Sequence, residues 1–162
     1  MKNKGFTLIE LLIVIALLGA LAVGLLAAVD PFEQLKKGGD TSTRNTVSEF
    51  YNAAIRYYSS VNTFPWTADL ATTQVYSLTS ELTNIISAGE LKTKFVELAT
   101  SARLKKIYVT STLGTTNSIA VCFMPESKSF QKDSNTMFSA DGSTGTGCKS
   151  IGGATDCYWC VQ

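Results

Sequence analysis

The 162-residue sequence contains no histidine, and only 17% of its residues are charged. Histidine is the usual general base near neutral pH and a frequent metal ligand, so its absence excludes Ser-His-Asp and Cys-His catalysis and histidine-bound metals. The 14 Lys/Arg and 13 Asp/Glu residues leave a net charge of +1, which provides no basic field for nucleic acid. The composition therefore argues against these sites and against nucleic acid as a partner, and the length fits one domain of ordinary size.

Polar residues are almost missing from the N-terminal segment 6–29, where only Thr7 and Glu10 interrupt the apolar side chains. Nineteen residues without charge run from Leu11 to Val29. As a helix they cover roughly 28 Å, about the hydrocarbon thickness of a bilayer. A buried core helix is rarely apolar on every face. Segment 6–29 is therefore predicted to be a transmembrane helix.

Two lysines precede this segment, and an acidic residue lies near its start. Lys2 and Lys4 are expected to keep the N-terminus in the cytoplasm, which places the chain after Val29 outside. A secretory signal peptide is the alternative, but the apolar run is longer than the usual 7–15-residue core and it follows a carboxylate. Because an acidic group in a membrane segment is costly, Glu10 is a functional candidate that requires a cationic partner.

Residues Gly5-Phe6-Thr7-Leu8-Ile9-Glu10 resemble the prepilin signature of type IV pilins and type II secretion pseudopilins. The resemblance implies that residues 1–5 are a leader peptide, which a membrane-embedded prepilin peptidase removes by cutting after Gly5. It also implies N-methylation of the new N-terminus at Phe6. In the family, the residue that corresponds to Glu10 pairs with the terminal amine of a neighbouring subunit.

The physical chemistry of a cleaved chain leads to a similar arrangement. Cleavage would leave a cation at Phe6 and a carboxylate at Glu10, and each needs a counter-charge in a medium of low dielectric constant. A staggered neighbour can supply the complementary group and so fix the axial register. Since this head-to-tail contact does not close, it generates a helical filament. Two alternatives are an ion pair within the chain and a Glu10 side chain that extends to the membrane interface.

Residues 30–60 are predicted to continue the helical region outside the membrane. Asp30-Pro31 marks the membrane exit and a possible bend, whereas Gly38-Gly39 softens the helix further along. Apolar side chains then recur at helical spacing, which predicts one face buried in a core rather than a binding surface. The family resemblance implies one long helix whose second half packs on a globular head. The apolar face comprises Val47, Phe50, Tyr51, Ala54, Ile55 and Tyr58.

Residues 61–162 are predicted to form the globular head. Alternating side chains predict a β-hairpin from Ile107 to Met124. The predicted fold class is α+β: a long N-terminal helix packed on a small antiparallel sheet with disulfides. Other predicted elements are two short helices, Leu78–Ile86 and Leu91–Ala102, weaker strands at Ser129–Gln131 and Thr136–Ser139, and a strand at Cys157–Val161.

Four cysteines, Cys122, Cys148, Cys157 and Cys160, lie in the part predicted to be outside the membrane. An even number in an oxidising compartment predicts two disulfides. The C-x-x-C spacing of Cys157 and Cys160 also raises zinc and redox interpretations, but zinc requires a second close pair and a redox motif requires a helix N-terminus. On a strand these two cysteines face opposite sides, so Cys148–Cys157 and Cys122–Cys160 are the preferred pairs.

No metal site is predicted. Some related pseudopilins hold calcium in a C-terminal loop, where this chain has Asp133, Asp141 and Asp156. These carboxylates lack the dense spacing of a calcium-binding loop, so a solvated loop is the preferred interpretation.

The predicted function is that of a prepilin, which is the substrate of an enzyme but is itself no enzyme, and no cofactor is expected. Before assembly it is expected as a single-pass protein in the cytoplasmic membrane, and afterwards in an extracellular or cell-surface filament. The expected partners are other copies of the chain in a helical homopolymer, the prepilin peptidase, an inner-membrane assembly platform and, before assembly, membrane lipid. One alternative is a monomeric, signal-anchored extracytoplasmic binding module. Another is a secreted redox or zinc protein that uses Cys157 and Cys160.

Overall fold

The computed structural model describes residues 5–28, 30–114, 117–144 and 157–162. The chain divides into two compact units, the first extending to Leu35 and the second from Lys36 to Gln162. From here on the head means this second unit, which begins earlier in the chain than the residues 61–162 predicted as the globular head. Helix α1, Leu8–Ala28, lies in the first unit, and helix α2, Pro31–Val61, begins there and continues into the head.

The helical region consists of two helices because Asp30 and Pro31 begin a new one. The Asp30 carboxylate accepts hydrogen bonds from the backbone N–H groups of Phe32 at 3.1 Å and Glu33 at 3.2 Å. Proline at the first helical position has no N–H that needs a partner, and its fixed φ suits a helix start. The membrane exit predicted at Asp30-Pro31 stays a prediction, whereas the one long helix implied by the resemblance is observed as two helices, with the second beginning at Pro31.

Within the head, α2 supplies one wall of the hydrophobic core. Helix α2 continues through Gly38 and Gly39, so the two glycines do not end it. Val47, Phe50 and Ala54 are fully buried, which confirms the predicted core face. The remaining residues of that face pack at the margin of the core and are partly buried: Tyr51, Ile55 and Tyr58.

The head contains a five-stranded antiparallel sheet with the strand order β1-β2-β3-β5-β4. Its strands are β1 Leu70–Gln74, β2 Ile107–Thr112, β3 Ser118–Phe123, β4 Thr136–Phe138 and β5 Tyr158–Val161. Strands β2 and β3 form the predicted hairpin, with Ile107 opposite Phe123. Strands β4 and β5 lie within the segments Thr136–Ser139 and Cys157–Val161 that were predicted as strands.

Short helices connect these strands. They are a 3₁₀ turn at Val75–Ser77, α3 Thr79–Ser87, α4 Phe95–Ala99, α5 Ser101–Leu104 and α6 Lys128–Gln131. The continuous helix predicted for Leu91–Ala102 is wrong, because Thr100 has a φ of 62° and separates α4 from α5. Leu98, which was expected on the buried face, is 67% exposed.

Two further predictions need correction. Ser129–Gln131 is helical rather than extended, since the Ser127 hydroxyl accepts a hydrogen bond from the N–H of Phe130 and caps α6. Strand β1 was not predicted, because the segment Leu70–Gln74 has no clear apolar alternation. It forms by pairing with the edge of β2, where Gln74 lies opposite Tyr108.

The sheet is covered on both faces near its centre. One face contributes Ile107, Val109, Val121 and Phe123 to the main core beside α2. On the other face, Ala120, Cys122 and Cys160 form a smaller buried cluster with Phe138 and Tyr158 at its margin. The loop after β4 packs here through Gly142, whose φ is +83° and whose added Cβ would lie 2.3 Å from the Ala120 Cβ. Only glycine suits this position.

Candidate functional site

The first turn of α1 contains a reciprocal pair of hydrogen bonds between Thr7 and Glu10. The Glu10 carboxylate accepts from the Thr7 backbone N–H at 2.9 Å and from the Thr7 hydroxyl at 2.6 Å, in both cases at Oε2. The Thr7 hydroxyl in turn accepts from the Glu10 backbone N–H at 3.3 Å. This is a capping box, which provides partners for backbone donors that the helix itself leaves unpaired.

The sequence-predicted residues Gly5 and Phe6 lie immediately before this turn and outside regular secondary structure. A Cβ added at Gly5 would meet no described atom within 4 Å, and Phe6 is 81% exposed. Among the residues that the structure describes, none therefore packs closely around the Gly5–Phe6 peptide bond. In the described part of the chain, Glu10 bonds to Thr7 and not to Phe6.

The rest of α1 is an apolar surface. Leu8–Leu26 is long and apolar enough to cross a membrane, and none of this segment is buried within the chain. A Cβ added at Gly19 or Gly24 would also meet open space, so each glycine leaves a shallow gap on the helix surface. The helix places the Glu10 carboxylate close to one end of a long surface without other charges. Such a surface requires either lipid or another apolar partner.

Residues 1–26 match the family model described as the prokaryotic N-terminal methylation motif. The chain carries a prepilin signature. This signature is that of type IV pilins and pseudopilins, in agreement with the resemblance that residues 5–10 carry. No match was found among the curated proteins or the solved structures. The prepilin signature thus covers residues 1–26, and none of the comparisons matched the head.

The hydrogen-bonded pairing of Thr7 with Glu10 was not predicted from the sequence. The pattern Thr-x-x-Glu before an apolar run is the sequence signature of a capping box, so the pairing could have been predicted from residues 7–10. A second missed feature is Asp40, only 5% exposed, whose carboxylate accepts from the N–H groups of Glu126 and Ser127 and from the Ser127 hydroxyl. Nothing in the sequence distinguishes Asp40 from an exposed helix residue.

The three cysteines that the structure describes are all disulfide-bonded and so have no free thiol. Cys122 on β3 and Cys160 on β5 lie opposite each other and form a disulfide with a Cα–Cα distance of 4.2 Å, which confirms that predicted pair. Cys157 is also disulfide-bonded, and Cys148 lies outside the described residues. Because Cys160 is bonded to Cys122, a redox disulfide between Cys157 and Cys160 is excluded in this state.

The aspartates considered for calcium are engaged in local turns. Asp133 accepts from the N–H of Asn135, and Asp141 accepts from the N–H and hydroxyl of Ser143. The hydrogen bonds from Ser143 lower the pKa of Asp141. Among the described residues no group of three or more metal-ligating side chains is found, and Asp156 lies outside them.

Proposed function

We propose that the chain is a prepilin whose role is structural: after cleavage following Gly5 and N-methylation at Phe6, it polymerises into a type IV pilus or pseudopilus filament. The match of residues 1–26 to the methylation motif carries this proposal. It is supported by the exposed apolar surface of α1 and by the carboxylate of Glu10 near its start. The protein is then the substrate of a peptidase and a methyltransferase and has no catalytic role itself.

Assembly transfers the surface of α1 from lipid into a bundle of identical helices. Because lipid tails are as apolar as these side chains, association depends on close packing and on polar contacts between helices. Gly19 and Gly24 permit close approach of neighbouring helices. The amine of Phe6 in one subunit pairs with Glu10 of another, so each buried charge gains a partner and the helices adopt one axial register.

This mechanism assigns partners and locations to two stages. Before assembly the chain spans the cytoplasmic membrane once with its N-terminus inside, where it meets lipid, the prepilin peptidase and an inner-membrane assembly platform. Afterwards the partners are other copies of the chain in a filament at the cell surface. The balanced charge of the sequence gives no reason to include nucleic acid as a partner.

The proposal is tested by expressing the full chain in cells that possess a pilus assembly machinery. We expect mass spectrometry to find a mature N-terminal peptide that begins at a methylated Phe6. We also expect Glu10→Gln to be excluded from filaments, while the matched variant Glu97→Gln, an exposed glutamate on α4, assembles normally. An unprocessed N-terminus, or filaments that form equally well with Glu10→Gln, would overturn the proposal.

One observation favours the monomeric binding module as a second candidate. The head has a cavity of about 590 Å³, within the size range of small-molecule sites, lined in part by Tyr58, Thr110, Asn117 and Asp141. A binding module would keep its ligand affinity and remain monomeric whether or not Glu10 is present. If the Glu10→Gln result matches wild type and no filament contains either protein, this second candidate replaces the first.

A further inference from the structure

We infer that Thr7 is a positioning residue for filament assembly, holding one oxygen of the Glu10 carboxylate and leaving the other for the amine of the incoming subunit. This inference rests on the proposed pairing of Phe6 with Glu10. It assigns a specific role to a side chain that otherwise only caps α1.

Both hydrogen bonds that Thr7 donates end on the same carboxylate oxygen of Glu10. Oε2 of Glu10 accepts from the backbone N–H and from the hydroxyl of Thr7. In the described residues no hydrogen bond reaches the other oxygen, Oε1. A carboxylate can accept about four hydrogen bonds, so an ammonium group can bind at Oε1 while both bonds to Thr7 remain.

Leader removal leaves this arrangement intact. Cleavage after Gly5 turns the Phe6 nitrogen into an amine, but the Thr7 nitrogen remains a peptide N–H and its hydroxyl is untouched. The mature subunit therefore retains both donors to Glu10. Only the group that each subunit offers to its neighbour, the Phe6 amine, is created by processing.

Thr7 acts on assembly by ordering Glu10 in advance. A carboxylate in apolar surroundings is unfavourable unless it is hydrogen-bonded, and Thr7 supplies two donors from the same chain before a neighbour arrives. A free glutamate side chain would lose its rotational freedom only on assembly, which weakens the contact. Thr7 restricts the side chain beforehand, so the incoming amine meets a preorganised carboxylate.

The test measures how well variants enter filaments when they are co-expressed with wild type. The ratio of variant to wild-type N-terminal peptide in purified filaments is divided by the same ratio for methylated subunits in the membrane, so that processing differences cancel. Thr7→Val has nearly the same shape without the hydroxyl, and Thr7→Ser restores it. Thr41→Val is the matched control, because Thr41 lies on an exposed part of α2. Its hydroxyl donates to the Lys37 carbonyl at 2.8 Å and contacts no other hydrogen-bond partner among the described residues.

We expect Thr7→Val to reduce incorporation about fivefold, as for the loss of a helix N-cap, and Thr7→Ser and Thr41→Val to stay within about twofold of wild type. Wild-type incorporation of Thr7→Val, or failure of Thr7→Ser to restore incorporation, would overturn the inference.

The Glu10→Gln variant distinguishes a failure of this inference from a failure of the proposed function on which it rests. If Glu10→Gln enters filaments as well as wild type, the proposed pairing itself is wrong. If Glu10→Gln is excluded while Thr7→Val enters normally, the pairing stands and only the positioning role of Thr7 is overturned.

Discussion

Helix α1 and the head differ in where their apolar side chains lie. The head buries Phe50, Leu104 and Phe123 within its own core, whereas the side chains of Leu8–Leu26 in α1 are all exposed. The head thus buries apolar side chains in a core of its own, whereas the apolar surface of α1 requires lipid or another apolar partner.

The sharpest test of this difference compares two large-to-small substitutions, one in each region. Phe50→Ala should lower the free energy of unfolding of the head by about 4 kcal/mol, because it removes a fully buried side chain and leaves a cavity. Leu17→Ala on exposed α1 should leave it unchanged. Denaturation of detergent-solubilised protein can be followed by tryptophan fluorescence, since Trp66 and Trp159 both lie in the head. Equal effects of the two substitutions would contradict the comparison.

The disulfide is expected to have the next largest effect on the head. Replacing Cys122 and Cys160 together with alanine removes a link between residues 38 apart in sequence, which should lower the free energy of unfolding by about 3 kcal/mol. The double substitution avoids an unpaired thiol. The same denaturation measurement checks it, and helicity of α1 by circular dichroism should not change. A stability equal to wild type would mean that the sheet alone holds β5 in place.

The buried carboxylate of Asp40 should contribute less. Asp40→Asn keeps the size of the side chain but loses the charge that accepts three hydrogen bonds from Glu126 and Ser127. We expect the free energy of unfolding to fall by about 2 kcal/mol, since charge-assisted hydrogen bonds are replaced by weaker ones. Asn45→Asp, at an exposed position on α2, serves as a control for a change in charge. An unchanged unfolding midpoint for Asp40→Asn would show that the hydrogen bonds of the Asp40 carboxylate do not stabilise the head.

The smallest effect is expected at the exposed pair Lys106–Glu126. A hydrogen bond and the positive charge of Lys106 lower the pKa of Glu126 below its ordinary value of 4.5. The pair therefore stabilises the head above pH 4.5, and this contribution disappears as the pH falls through the lowered pKa. Both side chains are more than half exposed, so Glu126→Gln should cost less than about 0.5 kcal/mol at pH 7. A larger loss, or one that persists at pH 2, would contradict this account.

The two regions also differed in how much of them could be predicted. In α1, composition and one local motif were sufficient, because a uniform apolar run and the residues Gly5 to Glu10 do not depend on distant parts of the chain. In the head, the hairpin and the Cys122–Cys160 pair followed from alternation along the strands. Strand β1 did not, since it forms by pairing with β2, more than thirty residues away.

Other misses arose from interactions that periodicity does not encode. The break at Thr100 depends on one backbone angle, and the start of α6 depends on the Ser127 cap. Asp40 becomes a buried residue only when α2 meets the loop before α6. Thr7 is different, because the Thr-x-x-Glu pattern of its capping box is present in the sequence itself.

The strand order of the head has a consequence for the order of events during synthesis. Strand β5 is inserted between β3 and β4, although it is the last of the five strands to be synthesised. Until Tyr158–Val161 has emerged, β4 lacks its neighbouring strand and the sulfur of Cys122 lacks its mate. The Cys122–Cys160 bond can therefore form only after the last of the five strands has been synthesised, so its presence distinguishes a chain with a full sheet from one that lacks β5.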